Sequence, residues 1–378
     1  MSSDSDQRPL KILQVGTQLG VGGITRHIVA LTSWLRGRDH RISLAGTPDV
    51  WINETTEEAF LPLPTRYVAG EGANLPVRFY HTGRAVWTLR RWLRKNPVDL
   101  IHAHESAPAL VAHLARTGLN IPLAITYHGS EPERIASFGR IARVCDLVIT
   151  PSHASARDLA GPGGVAEDRL KVIGLGVKRA PEDLPEEIAA LRQDLLGDGN
   201  HVIVTIARLM YQKGIDILID CAREIHETHP GARFVVVGDG PDEAMLHALA
   251  REKGVDGYLR FVGRSERPHL YLRAADLFLL TSRWEALPFT IAEAFQAGTP
   301  SLATACSGVV ELIDETVGVT VPIGDIAAIC KGVGRILDDT PGRQAMAEAA
   351  LVRSREDRFD PDWVHARFEE IYRLLARS

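Results

Sequence analysis

Two patterns of apolar and polar residues alternate along this chain. Short apolar runs are separated by longer stretches in which apolar residues recur with helical periodicity. In the first half the short runs predict strands at Lys11–Val15, Ile42–Ala45, Leu100–Ala103, Leu123–Tyr127 and Leu147–Thr150. Helices are predicted between them at Ile24–Arg36, Val77–Lys95, Ala107–Arg116 and Ser152–Leu159. Strands that alternate with helices predict a parallel sheet with crossover helices.

A second series of the same kind begins near residue 201. It predicts strands at His201–Ile206, Phe234–Val237, Leu259–Val262, Leu277–Leu280, Ser301–Ala303 and Gly318–Val321, with helices at Ile215–Thr228, Asp242–Lys253 and Phe289–Ala297. Lys178–Asn200, rich in Pro, Glu and Asp, is interpreted as a linker with a short helix. Two doubly wound halves predict a ligand in the cleft between them, at the carboxyl ends of the strands.

Composition narrows the class of protein. A chain of 378 residues with 45% hydrophobic and 24% charged residues is typical of a globular protein of two domains. The net charge of −5 argues against nucleic-acid binding. Four scattered cysteines with no C-x-x-C pair favour a reducing compartment. The polar start MSSDSDQRP and the lack of a long apolar run predict a cytoplasmic protein.

The segment SRWEALPFTIAE, residues 282–293, carries the most informative pattern. Glu285 follows a strand, and Glu293 lies one to two turns into a helix whose first position suits Pro288. A helix N-terminus offers free N–H groups and partial positive charge, which suit a phosphate, while carboxylates on both sides suit hydroxyls. The pattern indicates a nucleotide-sugar site; the alternative is a surface loop and an amphipathic helix with two ordinary glutamates.

Two further loops carry groups that suit phosphates. The turn Gly16–Gly23 leads from a strand into a helix, and Gly22 and Gly23 would let the backbone approach a ligand. Arg208 and Lys213, in IARLMYQKG, also follow a strand and form either a diphosphate clamp or a solvated loop. The later loop GDGPDE departs from G-x-G-x-x-G and is interpreted as an ordinary turn.

Three histidines are considered for chemistry. His102 and His104 lie on one face of a strand, but no further Cys or His stands at ligand spacing, so we predict no metal site. His128 follows a strand end beside a glycine, which suits either contact with a reacting centre or an ordinary loop histidine. We find no D-x-D carboxylate pair of the kind that chelates a metal–diphosphate, and no P-loop or nucleophile elbow.

The helix predicted over Val77–Lys95 carries six Arg or Lys residues and no acid. Its core-facing stripe is predicted to be Phe79, Val86, Leu89 and Leu93, with Trp87 and Trp92 partly off it. Such a helix either rests on an anionic membrane surface or is a crossover helix with a solvated basic face. Peripheral contact with the inner face of a membrane is therefore an open alternative.

Several motifs, in their order along the chain, resemble the retaining glycosyltransferases of family 4. They are GGITRHIVALTSWL, DLIHAHES, TYHG, DLVITPSHASARDL, IARLMYQKGIDILI, FVVVGDGP and SRWEALPFTIAEAFQAGTPSLAT with GVVELI. The resemblance spans about residues 10–335 and is specific only in combination. It implies the GT-B fold, an α/β architecture of two Rossmann-like, doubly wound domains that face a central cleft.

The resemblance also implies a division of labour. Residues 1–180 would bind the acceptor, 181–200 would be a linker, and 201–355 would bind the nucleotide-sugar donor. Residues 356–378 would form a last helix that returns to the N-terminal domain.

Site residues carry over from the family by motif. Arg208 and Lys213 match the pair on the donor diphosphate. Glu285 matches the family's glutamate near the transferred sugar, and Glu293 matches the one on the ribose hydroxyls. Others match as follows: Gly22 and Gly23 near a phosphate, His128 near the sugar, Val262 and Gly263 near the base, Leu287, Pro288 and Phe289 in the donor loop, and Glu311 with a less defined role. The loop reads EALP where EGFG is common, so the donor sugar stays open.

The implied reaction moves a hexose-type sugar from a UDP- or GDP-linked donor to an acceptor hydroxyl, with retention and without cofactor or metal. A saccharide, a lipid-linked or a small-molecule acceptor fits, as in surface polysaccharide or glycolipid assembly. Two alternatives stay open: another GT-B enzyme, such as a sugar-nucleotide epimerase or an inverting transferase, and a non-catalytic GT-B protein that binds a nucleotide sugar.

Overall fold

The structure is a computed structural model that describes residues 8–20, 22–49, 60–70 and 74–377. The chain divides into two compact units. The N-terminal unit comprises Met1–Gly176 together with Pro361–Ser378, and the C-terminal unit comprises Val177–Asp360. Each unit is built around its own parallel sheet.

The N-terminal unit has a seven-stranded sheet of order β3-β2-β1-β4-β5-β6-β7. Its strands are β1 Lys11–Gln18, β2 Arg41–Thr47, β3 Phe60–Pro62, β4 Leu100–His104, β5 Leu123–Thr126, β6 Leu147–Thr150 and β7 Leu170–Val172. Its helices include α1 Gly23–Arg36, α2 Thr65–Ala69, α3 Leu75–Lys95, α4 Ser106–Arg116, α5 Ile135–Ala142 and α6 His153–Ala160. Every recorded strand pair is parallel, as the alternating pattern predicts.

The C-terminal unit has a six-stranded parallel sheet of order β10-β9-β8-β11-β12-β13. Its strands are β8 His201–Ile206, β9 Ala232–Val237, β10 Leu259–Gly263, β11 Leu277–Leu280, β12 Ser301–Thr304 and β13 Gly318–Val321. Its helices are α7 Pro185–Leu196, α8 Ile215–Thr228, α9 Glu243–Glu252, α10 Pro268–Ala274, α11 Phe289–Ala297, α12 Ile326–Asp338 and α13 Thr340–Arg353. The last helix of the chain, α14 Pro361–Leu375, belongs to the N-terminal unit.

All the strands predicted from apolar runs are present to within two residues at either end, except that β1 continues to Gln18. The sequence pattern missed β3 and β7, which lie at the two edges of the N-terminal sheet. Each is three residues long and none of their residues is fully buried, so neither produces an apolar run. Edge strands lack a neighbour on one side and need less apolar surface.

The prediction for the core-facing side of α3 was partly wrong. Leu89 and Leu93 are buried, as expected, but the third buried residue of the helix is Ala85, and Phe79 is 75% exposed. The buried positions recur every four residues in the second half of the helix only. The first turns carry Leu75, Phe79 and Tyr80 out into solvent, because no core of the described chain covers them.

The C-terminal helix α14 completes the core of the N-terminal unit. Val364, Phe368 and Tyr372 are fully buried and pack with the apolar residues of β1 and α1. The Tyr372 hydroxyl also forms a 2.6 Å hydrogen bond with Nδ1 of the buried His102. Apolar contact thus holds the helix, and buried polar contacts, this one and the pairing of Glu369 with buried His40, specify its register.

We expect Tyr372→Phe to weaken the attachment of α14. The change leaves Nδ1 of buried His102 without its partner, which costs about 1–3 kcal/mol. Hydrogen exchange of the α14 amides should report a matching fall in opening free energy. Tyr80→Phe, at a 66% exposed tyrosine, is the control, and equal exchange in the two variants would contradict the role of this contact.

Candidate functional site

Both sheets change their winding direction between two neighbouring strands: β1 and β4 in the N-terminal unit, β8 and β11 in the C-terminal unit. In doubly wound sheets the loops at such a point diverge and leave a crevice at the carboxyl ends of the strands. Gly22 and Gly23 follow β1, whereas Arg208 and Lys213 follow β8 and Glu285 follows β11. The predicted residues therefore flank the switch point of their own sheet.

In the C-terminal unit the loops after β8 and β11 lock together through backbone contacts. Thr281 Oγ1 donates to the Gly214 carbonyl at 2.8 Å. Gly214 has φ of 62°, and a Cβ there would lie 2.1 Å from the Thr281 carbonyl oxygen, so only glycine fits. The Arg283 amide donates to the Gln212 carbonyl at 2.7 Å, and the Arg283 side chain pairs with Asp216 through two hydrogen bonds.

This interlocking places one charged pair at the switch point. Lys213 Nζ lies 2.5 Å from Glu285 Oε1, and Ser282 Oγ donates to the same oxygen at 2.7 Å. Glu285 is 8% exposed, whereas the Lys213 side chain keeps 20% of its surface. The Lys213 ammonium therefore remains accessible to an anion, whereas the Glu285 carboxylate is buried and held in place by the hydrogen bond from Ser282. Two of the residues predicted from sequence are in direct contact.

Arg208 stands on a backbone segment that two glycines support. A Cβ at Gly238 would lie 1.9 Å from the Ala207 carbonyl oxygen, and one at Gly240 would lie 2.2 Å from that of Leu209. The glycines of the GDGP loop therefore let it pack directly under the Arg208 loop. Arg208 is exposed and has no ion-pair partner within the described ranges. The interpretation of GDGP as an ordinary turn stays a prediction, and its packing role was missed.

Helix α11 begins directly after the Glu285 loop. Pro288, which was expected at the first helical position, is instead the N-cap, because its ψ of 122° is extended. No side chain of the described chain caps this end, and the first turn holds no acid. Leu287 and Pro288 are buried, Phe289 is half-buried, and Glu293 is half-buried in the second turn. The helix therefore presents uncapped N–H groups beside Glu285.

The other predicted residues of this unit lie at further strand ends. Val262 and Gly263 end β10, where the Gly263 carbonyl accepts a 2.8 Å bond from the Gly238 amide. Gly263 has φ of 71°, and nothing lies within 4 Å of where a Gly263 Cβ would be. Glu311 lies in a turn after β12, and its carbonyl accepts from Arg358.

In the N-terminal unit the glycine turn opens α1. Gly22 is the N-cap and Gly23 the first helical residue, with no side-chain cap and no acid in the first turn within the described chain. Nothing lies within 4 Å of where a Gly22 Cβ would be. The helix start is therefore sterically open to a ligand.

Behind this turn lies a cluster of histidines at the ends of β4 and β5. His104 Nδ1 lies 3.2 Å from His128 Nε2, and His104 Nε2 lies 3.1 Å from Gln14 Oε1. His102 binds Thr126 and Tyr372, so protein partners occupy both imidazoles of the IHAH motif. The ring of His27 lies 5.7 Å from those of His104 and His128.

The cluster is uncharged at neutral pH. Burial lowers the pKa of His128 and of His102 to about 3, with neighbouring histidines adding to the effect. Burial likewise holds the pKa of His27 and of His104 well below the usual value. His128 is therefore a neutral imidazole at pH 7.

Comparison with known proteins decides the family. A model described as Glycosyltransferase Family 4 matches residues 21–180, and one described as Glycosyl transferases group 1 matches residues 188–353. The chain belongs to the family 4 glycosyltransferases.

Similar proteins agree with this assignment. A glycogen synthase of Mycobacterium tuberculosis is 26% identical over 394 aligned residues, covering 95% of this chain and 92% of the relative. A phosphatidyl-myo-inositol mannosyltransferase of Mycobacterium leprae is 24% identical, with 94% of each chain covered. The Anabaena protein HepE, crystallised with UDP-glucose, is 22% identical with a TM-score of 0.79 over 96% of this chain and 99% of HepE. This glycosyltransferase has the GT-B fold.

Sequence reasoning missed several residues of these sites. Glu105, directly after His104, has φ of 79° and ψ of 171°, a conformation that costs a non-glycine residue about 1–3 kcal/mol. Its carboxylate accepts from Thr17 at 2.7 Å, and its amide donates to the Thr126 carbonyl. Backbone strain of this kind clusters at functional sites, but no local sequence pattern reveals φ. Ser282 was missed because a single serine carries no spacing signal.

No helix in the described part of this glycosyltransferase has both the length and the apolar character that a membrane span requires.

The buried histidines predict a particular loss of stability in acid. The unfolded chain takes up a proton on each near pH 6.5, whereas the folded protein does not, so stability falls as the pH drops below 6.5. Each histidine lowers the free energy of unfolding by up to about 1.4 kcal/mol per pH unit. Carboxylates take up protons, and so add to this pH dependence of stability, only below about pH 4.5.

We therefore expect His27→Leu to flatten the dependence of the melting temperature on pH between 6.5 and 4.5. His153→Leu, at an exposed histidine, is the control. Curves for His27→Leu and the wild type that run parallel over this window would contradict the buried neutral state of His27.

Proposed function

We propose that this glycosyltransferase moves a hexose, with retention, from a UDP- or GDP-linked donor to an acceptor hydroxyl and needs no metal ion. The observation that carries the proposal is the Lys213–Glu285 pair at the β8/β11 switch point, with exposed Arg208 on the same loop as Lys213 and the uncapped start of α11 directly after the Glu285 loop. Cations and helix N–H groups suit a diphosphate, and a held carboxylate suits sugar hydroxyls.

In the proposed reaction, the donor diphosphate gains charge as the glycosidic bond breaks. Arg208, Lys213 and the amides at the start of α11 compensate this charge, which is the role a metal ion has in other transferases. The acceptor hydroxyl attacks from the face that the diphosphate leaves, and a diphosphate oxygen takes its proton. No side chain acts as a covalent nucleophile. Glu293 and the Val262–Gly263 backbone would hold the nucleoside.

Relatives support the donor and acceptor classes in this proposal. HepE was crystallised with UDP-glucose, and the names of the other two relatives describe synthesis of a glucose polymer and mannosylation of a phosphoinositide. A nucleotide-sugar donor and a saccharide or lipid-linked acceptor, as in polysaccharide or glycolipid assembly, are consistent with all three.

Product analysis separates the proposal from its alternatives. A sugar-nucleotide epimerase would convert the donor without an acceptor, an inverting transferase would reverse the anomeric configuration, and a binding protein would leave the donor intact. Retention of configuration in the product, determined by proton NMR, is the expected result. Inversion or isomerisation would overturn the proposed reaction.

Removal of the proposed diphosphate contacts should slow turnover severely. We expect Arg208→Ala and Lys213→Ala each to lower kcat about 100-fold or more, because each removes a charge that stabilises the transition state. Arg208 is exposed, so its removal should leave the melting temperature unchanged.

Lys253→Ala is the matched control. Lys253 directly follows the C-terminal end of α9, where it pairs with Asp220, and it is not one of the proposed diphosphate contacts. It should behave as the wild type in steady-state assays. Turnover near the wild-type rate in both site variants would refute the diphosphate clamp.

A basic and aromatic face on α3 favours a membrane-bound acceptor. Tyr80, Arg84, Trp87, Arg91 and Arg94 recur every three to four residues, so they share one side of the helix, opposite Leu89. Tyr80 is 66% and Trp87 62% exposed, and the arginines of this face form no ion pair within the described residues. We propose that this face rests on an anionic bilayer, where arginines meet headgroups and aromatic rings enter the interface.

Co-sedimentation with vesicles tests this face. We expect binding to phosphatidylglycerol vesicles, little binding to phosphatidylcholine vesicles, and loss of binding in 0.5 M salt, because salt screens exposed charges. The double variant Arg84→Glu with Arg91→Glu should lose the binding.

A double variant of equal charge change, Arg251→Glu with Arg355→Glu, alters exposed residues of the C-terminal unit and should keep it. Equal binding by the two double variants would contradict the assignment to α3.

A further inference from the structure

A continuous row of hydrogen-bonded side chains leads from the interior of the N-terminal unit to His128. Gln14 Nε2 donates to Thr32 Oγ1 at 3.1 Å, Gln14 Oε1 lies 3.1 Å from His104 Nε2, and His104 Nδ1 lies 3.2 Å from His128 Nε2. Gln14, Thr32 and His104 are buried. Each nitrogen of His104 therefore has a defined protein partner.

The chemistry of these groups determines where the protons lie. In the orientation that the structure gives to the Gln14 amide, its oxygen faces His104 and only accepts, so His104 carries its proton on Nε2. In a neutral imidazole the other nitrogen then has a lone pair, so His104 Nδ1 accepts. Its partner, His128 Nε2, must donate. The proton of His128 is therefore on Nε2, and its Nδ1 carries the lone pair.

The surroundings favour neutral rings throughout the row. The titratable groups that face it are His27 on α1, His102 on β4, and His365 and Tyr372 on α14. None is an anion at neutral pH, since burial holds the pKa of Tyr372 well above its usual value. An imidazolium in the row would have no counter-ion among these groups.

We propose that Gln14 and His104 are positioning residues that fix His128 as the Nε2–H tautomer, with Nδ1 as a hydrogen-bond acceptor for a hydroxyl group of the sugar substrate. In the described chain His128 Nδ1 makes no hydrogen bond, and His128 is only half-buried, so the lone pair is available. The sugar as ligand rests on the proposed function; the tautomer does not. His128 Nδ1 would then select a hydroxyl that donates, and it would have no proton of its own to give to the ligand.

The tautomer can be observed directly. In protein labelled with ¹⁵N at histidine, long-range ¹H–¹⁵N correlation at pH 7 distinguishes a protonated from an unprotonated ring nitrogen. The His128 signals are identified by their loss in His128→Gln. We expect a neutral ring protonated on Nε2; a proton on Nδ1, or a doubly protonated ring, would overturn the proposal.

Two substitutions of Gln14 test its part in the row. Gln14→Glu places a carboxylate opposite His104 and favours the His104 imidazolium, whose Nδ1–H would donate to His128 Nε2. The His128 proton should then move to Nδ1. Gln14→Met keeps the length of the side chain without an acceptor, and His128 should show an average of both tautomers. An unchanged Nε2–H tautomer in both variants would show that Gln14 does not position His128.

Kinetics give a signature that a merely structural role would not. At pH 6 we expect kcat of Gln14→Glu to be about tenfold or more below the wild type, with a smaller change in the donor KM. As the pH rises, His104 loses its extra proton and the original tautomer returns, so kcat should recover along a titration that the wild type lacks. A constant ratio of the two rates at all pH values would count against the relay.

The spectroscopic result is independent of turnover. If His128 has the expected tautomer and no sugar is transferred, the proposed function fails and the positioning role stands. If sugar is transferred and His128 is protonated on Nδ1, the proposed function stands and the positioning role fails. Should Gln14→Glu fail to fold, the wild-type and Gln14→Met spectra decide.

Discussion

The candidate site of the C-terminal unit depends on one contact between two loops, in which Gly214 packs against the end of β11. Because the Gly214 backbone lies directly on the Thr281 carbonyl, the loop after β8 cannot move independently of the loop after β11. Lys213 precedes Gly214 by one residue, and Glu285 follows Thr281 by four. A single backbone approach therefore places an ammonium and a carboxylate at the point where the sheet changes direction, and the Arg283–Asp216 pair closes the same junction.

The two units have similar folds, but the side chains at their candidate sites are charged in one unit and mainly neutral in the other. The C-terminal unit presents cations, an uncapped helix start and a supported carboxylate, which suit an ionic ligand. The N-terminal unit surrounds His128 with neutral histidines and amides, because burial there disfavours charge. Uncharged side chains that donate and accept hydrogen bonds suit hydroxyl groups, which need directed donors and acceptors. The contrast is consistent with a charged donor and a polyhydroxyl substrate.

Much of the fold was predictable because parallel strands covered on both faces are continuous apolar runs. The runs at Ile203, Leu279 and Leu302 marked strands for that reason, whereas the half-exposed edge strands at Phe60 and Leu170 left none. The pattern on α3 misled at Phe79, since periodicity shows which side of a helix is apolar and not how far the core extends along it.

The chemistry was less accessible from sequence. Lys213 and Glu285 were found through motif spacing and lie in contact. The supporting partners Gln14, His104 and Glu105 come from distant segments or owe their role to a dihedral angle, which no local spacing encodes. Metal independence and the identities of donor and acceptor remain proposals, since they depend on groups that bind to the chain.

The central claim is a metal-independent nucleoside diphosphate site on the C-terminal unit. Its most direct test is a thermal-shift titration with UDP, GDP, ADP and dTDP and with UDP-glucose and GDP-mannose, each with and without EDTA. A ligand that binds the folded state raises the melting temperature with its concentration. The account predicts a rise with one nucleotide family, unaffected by EDTA. No rise with any of the six, or a rise that EDTA abolishes, would contradict it.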